Sequence, residues 1–158
     1  MATSPGFDMS RMSTASKILI GASALFFIDG FLPWQRVCID VGIPGIGGCA
    51  SASLWSGIGF LAALLGLALL VWEGLRVAGV NLGTMPEATK NMISAGLAAG
   101  VVLFTALKVL IDNEAIAYGA WIGIILALAI GYGGFMRWQE SKTATPMPPA
   151  APPPPPPA

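Results

Sequence analysis

Four apolar stretches, at residues 18–34, 54–72, 92–111 and 117–135, hold almost no charge, and the charged residues collect between them. The hydrocarbon core of a bilayer is about 30 Å thick and takes about 20 apolar residues of helix, at 1.5 Å of rise each. Each stretch is close to that length. Only 10% of the chain is charged and 55% is hydrophobic, whereas soluble domains carry about 25% charge. A soluble globule of 158 residues has too little interior to hide so much apolar surface. The expected fold is therefore an all-α membrane protein: a four-transmembrane-helix antiparallel bundle with short loops and a disordered Pro-rich tail. It divides into a cytoplasmic N-terminal segment (1–16), a four-helix transmembrane domain (17–138) and a disordered Pro-rich cytoplasmic tail (139–158).

Lys17 ahead of an apolar run that contains Ala22-Ser23-Ala24 is reminiscent of a secretory signal. The run continues through Leu25-Phe26-Phe27-Ile28, so the expectation is an uncleaved first helix.

Basic residues give an orientation. With four spans, both termini and the middle loop share one side, which holds Arg11, Lys17, Arg76, Lys90, Arg137 and Lys142. The other side holds Arg36 and, at the end of the third span, Lys108. Lys and Arg accumulate on the cytoplasmic side, so the chain is expected in the plasma membrane as a multi-pass protein with both termini cytoplasmic. Cys38 and Cys49, the two cysteines, then lie in the first outer loop, where disulfides persist. Gly42, Pro44, Gly45, Gly47 and Gly48 between them let the segment turn back on itself. A Cys38–Cys49 disulfide is expected, against the alternative of two thiols in an irregular loop. Trp34, Trp55, Trp72, Trp121 and Trp138 fall at predicted span ends, where indole rings serve as interfacial anchors.

Helices in lipid associate through close backbone contact. Gly119, Gly123, Ala127 and Gly131 recur at intervals of four on the fourth helix, and Gly96 and Gly100 do so on the third. These are the expected helix-packing positions, within one chain or in a homo-oligomer. On the second helix Gly59, Ala62, Ala63 and Gly66 are similar. Thr84 is placed to cap the third helix, with Pro86 and Glu87 in its first turn.

Two charges fall inside apolar stretches at similar depth, Asp29 on the first helix and Lys108 on the third. Three readings stay open: an intramembrane charge pair that fixes register, a proton or ion relay, or independent snorkelling of Lys108 with Asp29 protonated or hydrated. Glu73 and Arg76, one turn apart, are expected to pair at the membrane surface.

Chemistry is otherwise scarce. The chain has no histidine, no phosphate-binding glycine loop after a strand and no paired carboxylates at a plausible pocket. No catalytic residue, metal or cofactor is expected, and no enzyme activity. A formal net charge of zero offers no footprint for nucleic acid. The expected partners are the lipid bilayer, a membrane-protein partner or second copy, and a cytoplasmic protein that binds the tail. That tail ends in six prolines and an alanine, a polyproline II segment that serves as a spacer or as a docking peptide.

Phe31-Leu32-Pro33-Trp34 at the end of the first apolar stretch, together with Ala/Gly-rich helices and the proline tail, resembles small four-span membrane proteins of actinobacteria, some with Pro-rich cytoplasmic tails. The resemblance implies a cell-membrane location and leaves the role open. Abundant packing surface and scarce chemistry point to a non-enzymatic scaffold or accessory subunit of a cell-envelope assembly. The alternatives are a small transporter or channel subunit built on Asp29 and Lys108, and a redox-sensing membrane protein built on Cys38 and Cys49.

Overall fold

The computed structural model describes residues 12–43, 46–80 and 83–143. The proline-rich segment from residue 144 and the first eleven residues lie outside this range. Along the described chain run α1 (Thr14–Asp29), β1 (Gln35–Ile43), β2 (Ile46–Ala52), α2 (Gly59–Val77), α3 (Glu87–Ile111), a 3-10 turn (Asn113–Ala115) and α4 (Tyr118–Thr143). Helices α2, α3 and α4 are long and apolar enough to cross a membrane.

Helix α1 is shorter and sits earlier than its apolar stretch. Ser13 caps it, its hydroxyl accepting from the Ser16 amide at 3.2 Å. At the other end the amides of Phe31 and Leu32 bond to the carbonyls of Ile28 and Asp29. Those i→i+3 bonds tighten the last turn, and Pro33 follows, so the helix ends at Asp29 and not near Pro33. Sixteen residues give a rise of about 24 Å.

Helix α3 begins at Glu87, ahead of its apolar stretch at 92–111 but later than a Thr84 cap with Pro86 in the first turn requires; Pro86 stands at the cap position with no side-chain cap bond, and Thr84 does not cap the helix. Helix α4 runs to Thr143, so Gln139–Thr143, expected in the tail, are helical. The segment between α1 and α2 is a two-stranded antiparallel hairpin in which Cys38 lies opposite Cys49, and the two are joined by a disulfide. A bulge between Asp40 and Ile43 bends β1; there Asp40 accepts from the Gly42 amide at 3.0 Å, and Gly42 sits at φ 69°. The hairpin is sewn to the bundle at its base. Trp34 bonds through its amide to Ala52 and through its carbonyl to Ala117, and Gln35 forms a bridge with Ile116.

The helices pack in a ring, each against its chain neighbours, with α4 closing on α1. A buried stripe at spacings of three and four runs along each: Leu19, Ala22, Phe26 and Asp29 on α1; Ala62, Gly66, Leu69 and Glu73 on α2; Ser94, Ala98, Val101, Thr105 and Lys108 on α3; Gly123, Ala127, Ile130, Gly134 and Arg137 on α4.

Every interface uses a glycine notch. Phe26 of α1 lies over Gly66, and Leu65 of α2 over Gly100, where an added Cβ would stand 2.8 Å from Leu65 Cδ1. Val102 of α3 lies over Gly131 and Ala98 over Gly134; Leu19 of α1 lies over Gly133. Gly119 faces the Pro33 carbonyl, and Gly123 receives the Trp34 ring. Among the expected packing positions, Gly100, Gly119, Gly123 and Gly131 lie against residues of neighbouring elements, and Ala127 is buried in the core. Gly96 is the exception: it is exposed, and nothing would touch an added Cβ. Gly96 stands two positions from both Ser94 and Ala98, and at about 100° per residue that puts it on the opposite side of α3 from those buried residues.

Candidate functional site

The buried stripes carry apolar residues through the middle of the bundle and polar ones at both ends. At the end away from the hairpin, the stripe of α2 finishes on Glu73, which is fully buried. Its Oε2 accepts from Ser16 of α1 at 3.2 Å and from Arg137 of α4 at 2.9 Å. Its Oε1 accepts from Arg76 of the same helix at 3.2 Å and from the Ser94 hydroxyl of α3. One carboxylate therefore ties all four helices together. Arg137 also donates to Ser16, Arg76 to Asn91 at 2.8 Å, and the Trp72 indole to Ser94 at 3.1 Å.

The cluster extends as a chain of alternating charge. Glu140 pairs with Arg137 at 2.8 Å, Arg137 with Glu73, Glu73 with Arg76, Arg76 with Glu87 at 3.3 Å, and Glu87 with Lys90 at 2.8 Å. Glu73 and Arg76 do pair, but inside the bundle and not at its surface. The full reach of this cluster was missed in the sequence because Arg137 and Glu73 stand at the ends of apolar runs, where charge is ordinarily solvated. A helical-wheel extension carried a signal: Glu73 follows Leu69 by four, and Arg137 follows Ile130 by seven, on the buried faces.

The hairpin end holds a second cluster. The Lys108 ammonium pairs with Asp112 at 2.7 Å, and donates to the Ser56 carbonyl at 3.1 Å, the Ser56 hydroxyl at 3.3 Å and Gln35 at 3.4 Å. Hydrogen bonds from Lys108 and then from Gln35 hold the Asp112 carboxyl below the usual carboxylate range. Gln35 reaches this cluster because its backbone bridge to Ile116 fixes the base of β1 over the α3–α4 link.

Asp29 and Lys108 are both buried, as expected for charges inside apolar stretches, but they do not pair. Lys108 turns toward the α2 entry and its own i+4 partner, while Asp29 lies against α4. Its Oδ2 would be 2.8 Å from a Cβ added at Gly123. The reason is the early end of α1: the chain turns after Asp29 and lays the Trp34 ring beside it, the indole N–H donating to the Asp29 carbonyl at 3.2 Å.

That same turn corrects the role expected for Trp34. It is 1% exposed, packed edge-on against Phe26 with ring centroids 6.2 Å apart, and is a core residue. Trp72 is half-buried and bonded to Ser94. Trp55 is half-buried beside Phe27, Phe31 and Phe60. Trp121 and Trp138 project outward, the latter under the Lys142 ammonium.

Comparisons with protein-family models and with curated proteins return no match.

Among the described residues, no three His, Cys, Asp or Glu side chains cluster as metal ligands. A concavity of about 350 Å³ opens at the hairpin base between Gln35, Val37, Ser51, Ile111 and Asp112. Beside Trp34 is a void of about 10 Å³, bordered by Gln35, Lys108 and Asp112, a volume that suits one water.

Proposed function

We propose that the chain is a four-span protein of the plasma membrane, both termini cytoplasmic and the disulfide-closed hairpin outside, that serves as a non-enzymatic scaffold or accessory subunit of a cell-envelope assembly. In this reading α1 and the Gly30–Trp34 turn together form the first span. The six basic residues assigned above to the cytoplasmic side support the orientation.

The observation that carries the scaffold reading is the way charge is spent. Glu73, Arg76 and Arg137 are consumed in internal bonds that fasten helix to helix, and Lys108 in bonds that fasten α3 to Gln35 at the hairpin base and to Ser56 ahead of α2. Between the two clusters lies a layer of Leu19, Phe26, Ala63, Leu69, Val101 and Ile130. Such an interior holds its own helices together and offers little to an ion passing from one end of the bundle to the other. What remains free is the exterior: the hairpin face, with Val37 and Ile39 exposed, and the lipid-facing helix surfaces.

Photocrosslinking from position 39 in intact cells, followed by purification in mild detergent, tests the reading. A discrete adduct with another envelope protein, lost when the hairpin residues are replaced, is the expected result. A monomer with no adduct, or a chain recovered from the aqueous fraction, rejects it.

A further inference from the structure

Asp29 is 3% exposed, and neither of its carboxyl oxygens has a hydrogen-bond partner among the described residues. The indole beside it is spent on the backbone carbonyl. The missing side chain of Gly123 brings Oδ2 against the α4 backbone. Among the described residues no counter-charge faces the carboxyl from the packed elements. Residues 18–28 of α1, 59–72 of α2 and 119–131 of α4 contain no ionisable residue, and residues 92–111 of α3 contain only Lys108. That ammonium is already held by Asp112, Ser56 and Gln35. An unpaired carboxylate in such a place is strongly disfavoured, whereas the neutral acid costs far less.

We propose that Asp29 is a proton-binding site inside the bilayer. It takes up one proton, which exchanges with water at the hairpin end past the Trp34 ring. The route is set by geometry: Trp34 touches Asp29 on one side and borders the one-water void with Lys108 and Asp112 on the other. This inference rests on the four-span placement proposed above and not on the scaffold role.

The test uses the full chain in phosphatidylcholine vesicles and the apolar reagent dicyclohexylcarbodiimide. The carboxyl proton passes to a carbodiimide nitrogen and the carboxyl oxygen adds to the central carbon. The O-acylisourea then rearranges to an N-acylurea, so the whole reagent is added and nothing leaves. The expected result is an adduct mapped by peptide mass to Asp29. It should disappear in Asp29→Asn and fade as the medium is taken from mildly acid to alkaline. A water-soluble carbodiimide should label Asp40 and Asp112 and spare Asp29. An unlabelled Asp29 in mildly acid medium overturns the proposal. So does labelling that ignores pH, or equal labelling by the soluble reagent. Should Asp29→Asn fail to fold, the peptide map of the unaltered chain still decides. Resistance of the vesicle-bound chain to alkaline extraction is read separately, so a failure of membrane placement is told apart from a failure of proton binding.

Discussion

Glu73 and Arg137 meet inside the bundle, 64 residues apart in sequence and 2.9 Å apart in space, with the glutamate fully buried. Their bond joins α2 to α4, helices on opposite sides of the ring, and the serines of α1 and α3 close on the same carboxylate. A buried ion pair gains little over a well-packed apolar pair, but removing one partner strands the other.

Glu73→Ala or Arg137→Ala should therefore each destabilise by about 3–5 kcal/mol. Glu73→Leu combined with Arg137→Met should cost clearly less than the sum of its parts. Thermal unfolding in detergent of Glu73→Leu, Arg137→Met and the double variant, arranged as a double-mutant cycle, measures the coupling. Additive losses would mean that the pair is not coupled.

Two glycines that were both expected at packing positions should respond in opposite directions. Gly123→Ala drives a methyl into the Trp34 ring and the Asp29 carboxyl, and overpacking of this kind costs about 1–3 kcal/mol. Gly96→Ala meets open space and should gain up to about 1 kcal/mol of helix stability. Melting temperatures of the two variants check both signs.

The Lys108–Asp112 link should weaken in acid. The folded carboxyl of Asp112 is held below its usual range, so its contribution is fully present above the unfolded value of about 4. It is lost as the pH falls through the lower, folded value. The stability difference between the unaltered chain and Asp112→Asn should be constant near neutrality and close toward zero in strong acid. A difference that persists there would show that the carboxylate charge is not what matters.

Opening the Cys38–Cys49 bridge, which spans 11 positions, should cost about 2–3 kcal/mol in the chain-entropy picture. The loss should be local. Because Gln35 is fixed by its bridge to Ile116 and by Lys108, hydrogen exchange should rise in β1 and β2 much more than in α3. Unfolding and exchange with and without reductant provide the comparison; equal loosening of the helices would contradict a hairpin that is braced at its base.

The helices were legible because apolar runs of span length leave little choice of secondary structure. The cysteine spacing likewise suggested a closed loop. The hairpin itself was less visible: its glycines hide the alternation by which strands announce themselves, and its register depends on Cys38 facing Cys49. The packing glycines were read in part. Gly123 and Gly100 lie against neighbouring helices, whereas Gly96, one step of four before Gly100, touches nothing, and Gly133 and Gly134, which were passed over, do pack; which small residues meet a neighbour is set by where that neighbour crosses, not by spacing along one helix.

The amino-acid order by itself determined that the chain is built of long apolar helices and that two thiols share one connecting segment, because hydrophobic length and spacing are properties of the chain alone. Only the tertiary structure decided which charges meet. The early end of α1 at Asp29 turns Trp34 inward and separates Asp29 from Lys108, while the closing of α4 on α1 brings Arg137 to Glu73. Partners distant in sequence are chosen by the rotation and offset of packed helices, and neither is encoded at any single position.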